Sequence, residues 1–185
     1  MTDADVVAMQ RLAAGDDLAL NEIMTRWQQR VASFLRSMTG DHSTACDLAQ
    51  ETFVRLYQSR ARYKMKASFA SYLFRIAANL ARNHPRWRKR HPSEPLEKLQ
   101  DAGLDPSSDA ASPDAAFAQA DTARAVRHAV MQLPDDLREA IQLFTYEEMS
   151  HAEIAAALDC TPKAVETHIH RARQILKEKL AHLAT

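Results

Sequence analysis

The residues best suited to chemistry lie on one face of a segment near the end of the chain. Lys163, Thr167, His170, Arg171 and Gln174 recur at three- and four-residue spacing, so they share one side of a helix. Hydrogen-bond donors on an exposed helix can contact base edges and phosphates in a DNA major groove. The alternative is an ordinary helical hairpin whose polar face is simply solvated.

The elements that position this face are readable from local signals. Ser150 and Glu153 have the spacing of a capping box, which starts a helix. Thr161 and Pro162 supply an N-cap and a first-turn proline for a second helix after a tight turn at Asp159. The buried side of that second helix carries apolar residues at helical spacing, namely Val165, Ile169, Ala172 and Leu176. This arrangement is typical of a helix-turn-helix.

Catalytic and metal-binding chemistry finds little support. Cys46 and Cys160 are far apart in sequence and lack CxxC spacing, so we expect two small buried thiols and a reducing cytoplasm. The eight histidines form no HExxH motif, and no nucleophile stands beside a base. We therefore expect no catalytic residue, no metal and no cofactor. No apolar run is long enough to insert into a membrane.

The zero net charge hides a strong asymmetry. Residues 25–90 hold fourteen basic and three acidic residues, whereas residues 91–122 hold one basic and seven acidic. A segment this basic points to a polyanion partner. Aromatic and amide side chains interleave with its cations, which suits contact with nucleic acid.

The remaining pattern predicts an all-α chain. The three glycines fall at breaks between periodic segments, as expected of helices. We expect helices from Asp3 to about Ala14, from an Asp16 cap to Gly40, from Asp41 or Ser43 through Leu56, and from a Ser68 cap to about Arg90. Two more span Asp121 to Leu133 and Asp135 to Tyr146, before the helix-turn-helix.

A linker divides the predicted helices into two small domains. Residues 91–119 hold four of the seven prolines and few large apolar groups, so they are expected to be flexible and without a core. The predicted domains are 1–90 and 120–185. An extended linker would reach at most roughly 95 Å, so loosely joined domains could bind two separated sites.

Three motifs, in this order, resemble those of bacterial sigma factors of the extracytoplasmic-function (ECF) subfamily. The segment 47–56 (DLAQETFVRL) resembles the part that binds core RNA polymerase. The segment 72–80 (YLFRIAANL) looks like the helix that reads the −10 promoter element. The third motif looks like the domain that reads the −35 promoter element. It comprises Leu133-Pro134 with Arg138, then Glu153 to Ala155, and then Val165 to Arg173.

The resemblance implies a role for each matching residue. Core polymerase would be bound by Asp47, Leu48, Gln50, Glu51 and Phe53. The −10 DNA would be bound by Arg62, Tyr63, Lys64, Lys66, Asn79, Arg82 and Asn83. The −35 DNA would be bound by Lys163, Glu166, Thr167, His168, His170, Arg171 and Arg173, the last at a phosphate. The function implied is direction of polymerase to specific promoters, by −10 recognition and melting and by −35 binding.

The implied partners are core RNA polymerase and promoter DNA, with an anti-sigma factor as a further candidate, and the chain is expected to be a monomer outside those complexes. Two other functions compete. A conventional operator-binding regulator would need a dimerisation surface, and no heptad pattern is evident. A sigma-like decoy that only binds an anti-sigma factor would have no use for the basic middle segment. The chain departs from the family pattern at two positions where family members commonly have glycine. Glu148 stands before the helix-turn-helix, and Asp159 stands in its turn. Aspartate tolerates the left-handed backbone conformation, so we expect the turn to form.

Overall fold

The computed structural model describes the backbone of residues 3–63, 68–90 and 113–181, and all regular structure within these ranges is helical. Of the predicted linker 91–119, residues 91–112 lie outside the described residues. The α-helices are α1 (Asp3–Ala13), α2 (Leu18–Thr39), α3 (His42–Gln58), α4 (Phe69–Arg90), α5 (Pro113–Met131), α6 (Asp135–Thr145), α7 (His151–Leu158) and α8 (Pro162–Lys179). A short 3₁₀ turn, Arg60–Arg62, follows α3. The all-α expectation is confirmed.

Helix ends follow the capping residues in the sequence. Gly40 ends α2 in the left-handed region at φ 74°, and the Asp41 side chain then accepts the backbone N–H of Thr44 to begin α3. Asp17, not Asp16, holds the N-cap position of α2, although the Asp16 carboxylate accepts the N–H of Leu18. One helix differs from prediction. Helix α5 begins at Pro113, so residues 113–119 of the predicted linker are helical, whereas α4 runs to Arg90 as predicted; the notable feature of α4 is that it continues through Pro85.

Helices α1–α4, called here the N-terminal module, bury an aromatic cluster. The ring of Trp27 meets those of Phe69 and Phe74 edge to face, with centroids 5.6 and 6.1 Å apart. Its indole N–H donates to the buried carboxylate of Asp5 at 3.0 Å, and the same oxygen accepts from Arg26 at 2.7 Å. The indole therefore buries a large apolar area while its polar atom stays satisfied.

Helices α5–α8, the C-terminal module, pack directly on the N-terminal module. Helix α7 lies against α4, and α6 lies against α2. Buried residues of both modules form one continuous core, from Met9 in α1 to Ala172 in α8. The sequence predicts two loosely joined modules, whereas the structure brings them into contact. Within the described residues, no helix has the length and apolar character needed to cross a bilayer.

Candidate nucleic-acid and polymerase interfaces

The helix-turn-helix forms as its capping residues predict. The Ser150 hydroxyl accepts the N–H of Glu153, and the Glu153 carboxylate accepts the N–H of Ser150 at 3.0 Å. Asp159 adopts the left-handed conformation at φ 57° in the turn, and Glu148 does so at φ 53°. The Thr161 hydroxyl then accepts the N–H of Ala164, with Pro162 in the first turn of α8. Both helices therefore begin with backbone N–H groups satisfied by a side chain.

Helix α8 presents its predicted polar face to solvent. Val165, Ile169 and Ala172 are buried against the rest of the module. The exposed side carries five of the seven predicted −35 residues, which are Lys163, Glu166, His170, Arg171 and Arg173. Two contacts orient side chains on this surface: Lys163 pairs with Glu166 at 2.8 Å, and the Arg173 guanidinium lies over the Phe144 ring. The face combines positive charge with several hydrogen-bonding groups.

The other two predicted −35 residues lie closer to the core. Thr167 is half-buried, and its hydroxyl donates to the carbonyl of Lys163 at 2.9 Å. His168 is half-buried too, with Nε2 3.6 Å from a carboxylate oxygen of Asp136 at the start of α6. The imidazole therefore points between α8 and α6 rather than outward. The His168 side chain is therefore better placed to hold α8 against α6 than to contact a DNA groove.

The predicted −10 surface runs along α4 and is partly occupied. Asn79 and Asn83 are exposed, and the Asn83 amide donates to the carbonyl of Asn79 at 2.7 Å. The Arg82 guanidinium, in contrast, makes a two-pronged contact with Glu139 of α6: its Nε lies 2.8 and 3.1 Å from the two carboxylate oxygens, and its Nη2 also donates to one of them. Lys64 and Lys66 lie outside the described residues.

Beside α4, the turn after α3 forms an aromatic corner. The Tyr63 ring meets that of Tyr72 edge to face at 5.1 Å, and the Tyr72 hydroxyl hydrogen-bonds with that of Ser59 at 2.7 Å. The Tyr63 hydroxyl is buried and has no hydrogen-bond partner among the described residues, and burial raises its pKa. Arg62 is exposed next to this corner. Aromatic rings beside a cation form a surface on which an unpaired base can stack.

The predicted polymerase-binding face on α3 is only partly a surface. Asp47 and Gln50 are exposed, Leu48 is half-buried, and Glu51 is half-buried and paired with Arg55 at 2.7 Å. Phe53 does not lie on this face, because its side chain is 4% exposed and belongs to the core. The helical period explains the difference: residue 53 follows Ala49 by one turn, on the inner side.

Two ion pairs between the modules were not found by reading the sequence. Glu139 and Glu147 of the C-terminal module have side chains 1% and 5% exposed, and they bind Arg82 and Arg30 of the N-terminal module. Burial raises the pKa of both carboxyls despite the adjacent guanidinium groups. No local signal marks these acids, because a helix read alone does not reveal which charges another module will cover.

Two segments of the chain match known protein families. Residues 23–91 match the family described as Sigma-70 region 2, and residues 123–176 match Sigma-70, region 4. The first range covers α3, α4 and most of α2; the second covers the helix-turn-helix and the helices before it. The class defined by the fold and its surfaces is therefore a sigma factor, a transcription initiation factor.

Similarity extends over nearly the whole chain. The ECF RNA polymerase sigma-E factor of Haemophilus influenzae is 30% identical over 183 residues, which is 97% of this chain and 96% of the relative. Among solved structures, CnrH in complex with the cytosolic domain of CnrY is 27% identical, with a TM-score of 0.73 over 97% of this chain and 99% of CnrH. The sigma factor RpoE of Bartonella quintana, in complex with the anti-sigma factor NepR, shares the fold at 22% identity and a TM-score of 0.68, over 87% of this chain and 96% of RpoE. The chain belongs to the ECF sigma factors.

Proposed function

We propose that this ECF sigma factor directs RNA polymerase to its promoters through three separate surfaces. The outer face of α3 binds core polymerase, α4 with the aromatic corner captures −10 DNA, and α8 binds −35 DNA. The observation that carries the assignment is the exposed donor face of α8 on a fully capped helix-turn-helix. The domains proposed are residues 1–90 and 120–185, joined by residues 91–119.

The −35 contact rests on the outer side of α8. Arg171 and His170 project from the middle of the helix, where a side chain reaches base edges once the helix lies in the major groove. Lys163 lies about two turns nearer the N-terminus, and Arg173 is placed to meet a phosphate. His168, held toward Asp136, supports the helix from behind.

The −10 contact combines charge with stacking. Asn79 and Asn83 offer amides that can read base edges, and Arg82 offers a guanidinium for a phosphate. Tyr72 lies about two turns before Asn79 on the same side of α4, and its ring with that of Tyr63 can hold an unstacked base of a melted strand. Capture of unpaired bases would favour the melted state over the duplex, so binding and strand opening would be coupled.

The polymerase contact uses a polar face with an apolar margin. Gln50 and Glu51 lie one helical turn after Asp47 in α3, and Val54 continues the same stripe with 46% of its surface exposed. An exposed apolar residue beside carboxylate and amide groups suits a protein partner that supplies cations and a small apolar pocket.

Regulation and location follow from the family. We expect no catalysis by the chain itself, a cytoplasmic location with polymerase, and control by an anti-sigma factor. The Bartonella relative solved with NepR supports such a partner.

Run-off transcription with purified core polymerase on a genomic fragment library tests the function. Adding the chain should produce transcripts from a small set of start sites that share −10 and −35 sequences. Core polymerase alone is the control, and identical transcripts with and without the chain would contradict the proposal.

A further inference from the structure

The outer face of α8 carries one acidic residue among its bases. Glu166 is the single acid among the seven residues assigned to −35 DNA, and 56% of its side chain is exposed. Duplex DNA repels a carboxylate, because it presents a phosphate charge about every 1.7 Å along its axis. The repulsion is offset only where a hydrogen-bond donor meets the carboxylate. In the major groove the base-edge donors are the amino groups of cytosine and adenine.

Glu166 is joined to Lys163, one turn earlier in α8. The Lys163 Nζ atom donates to Oε2 of Glu166 at 2.8 Å. Lys163 lies in the first turn of the helix, after Pro162, and 81% of its side chain is exposed. The N-terminal residues of a recognition helix are those that contact base edges in the major groove. The pair therefore stands where α8 would meet bases rather than only phosphates.

The surroundings of Glu166 keep its carboxylate ionised. The hydrogen bond and the charge of Lys163 lower the pKa of Glu166, and His151 of α7 and His170 of α8 lower it further by smaller amounts. The His151 ring lies beside the Phe144 ring, with centroids 5.5 Å apart. An ionised carboxylate only accepts hydrogen bonds. Glu166 is thus an acceptor whose immediate neighbours oppose its protonation near the negative potential of DNA.

The geometry of the pair matches the major-groove edge of a G·C base pair. There the guanine O6 acceptor lies beside the cytosine N4 donor, and the N–H···O bond between them is about 2.9 Å long. The protein donor and acceptor are 2.8 Å apart. Lys163 can therefore donate to O6 while Glu166 accepts the second N4 proton. An ammonium has three protons, so the bond from Lys163 to Glu166 leaves two for guanine.

An A·T base pair fits the same two side chains less well. Its adenine amino group lies between two separated acceptors, adenine N7 and thymine O4. Guanine instead offers O6 and N7 side by side, an edge that favours a cation. An exposed lysine–glutamate pair contributes little to helix stability. Removing it should therefore change the choice of base much more than the folding of α8.

We propose that Lys163 and Glu166 act together to read one G·C base pair of the −35 element, with Lys163 on the guanine and Glu166 on the cytosine. The inference rests on the proposed −35 role of α8 and adds the base pair that this face selects. Lys163 supplies attraction to guanine. Glu166 supplies attraction to cytosine and repulsion toward a base edge that presents only acceptors.

The test is a binding selection with holoenzyme, formed from purified core polymerase and the full chain. The probe is a duplex library of one promoter found by run-off transcription, in which each −35 position carries all four base pairs in turn. Sequencing of bound and free DNA gives the relative affinities. At one position, the parent should bind G·C about tenfold more tightly than the other base pairs.

Two single variants should each lose the preference at that one position and keep the others. Lys163→Ala should lose it because G·C binds more weakly, and Glu166→Ala because the wrong base pairs bind more tightly. The double variant should discriminate no worse than either single one, since both side chains read the same base pair. Both positions are exposed and alanine is the best helix former, so the variants should fold.

Lys177→Ala with Glu178→Ala is the matched control, because it removes the same two residue types from the last turn of α8. Its preferences should equal those of the parent. Three results would overturn the proposal: an A·T preference at the affected position, single variants that act at different positions, or an equal change at every position.

Failure of the holoenzyme to bind any promoter would instead contradict the proposed function. Promoter binding with the parent's base preferences in both single variants would contradict this inference alone.

Discussion

The two helices proposed to read DNA, α4 and α8, have similar chemistry but different surroundings. The donor face of α8 is open to solvent, and its contacts lie within its own module. On α4, the central cation Arg82 is held by Glu139 of the other module. The proposed −35 surface is therefore open in this structure, whereas the proposed −10 surface has its central cation paired with a carboxylate of the other module.

The largest expected effect is on the open surface of α8. Arg171→Glu should reduce transcription from −35-dependent promoters roughly 10- to 100-fold, because a lost base contact costs about 1–3 kcal/mol and reversal adds repulsion from phosphates. Run-off transcription measures the change. Lys177→Glu makes the same charge change in the last turn of α8 and should have little effect. Equal losses in the two variants would remove Arg171 from the site.

The polymerase-binding face comes next. Gln50→Ala with Glu51→Ala should weaken binding to core about tenfold, or about 1.4 kcal/mol, because both side chains lie on the proposed contact. Binding is measured by titration of labelled chain with core polymerase. Gln28→Ala with Glu22→Ala is the control, since it removes the same two residue types from α2 and also breaks an arginine pair. Unchanged affinity in the first variant would mean that the α3 face is only solvated.

The salt dependence of promoter affinity tests whether Arg82 contacts a DNA phosphate. Arg82→Gln should lower the slope of log affinity against log salt for promoter binding by about 1, since each phosphate contact contributes about 0.9 on duplex DNA and about 0.7 on a single strand. Holoenzyme binding at several salt concentrations gives the slope. A slope equal to that of the parent would show that Arg82 does not contact phosphate and that its pairing with Glu139 is structural.

The smallest effect is on the scaffold of α8. Ser150→Ala removes the hydroxyl that caps α7 and should reduce the stability of the C-terminal module by about 1 kcal/mol. Thermal unfolding followed by circular dichroism measures the loss. Thr25→Ala, which removes an exposed hydroxyl in the middle of α2, serves as the comparison. A loss no greater than that of the comparison would mean that packing alone fixes the start of α7.

The sequence predicts what depends on neighbours along the chain. The capping box at Ser150, the N-cap at Thr161 and the stop at Gly40 all form as expected, because each rests on contacts within a few residues. The family was also predictable, since three motifs occur in a fixed order. Contacts across distant segments were not, because nothing local shows that Glu139 is covered by α4 or that His168 turns toward Asp136. Phe53 is a different case: the matched motif assigns it to the polymerase contact, whereas the helical period places it on the inner side of α3, where the structure buries it.

The most direct test of the account is a footprint of the holoenzyme on a promoter found by run-off transcription. The account predicts two protected patches, at −10 and −35, with Arg171→Glu removing the upstream patch and Arg82→Gln weakening the downstream one. Protection by the chain without polymerase, at paired half-sites one helical turn apart, would contradict it and indicate an operator-binding dimer.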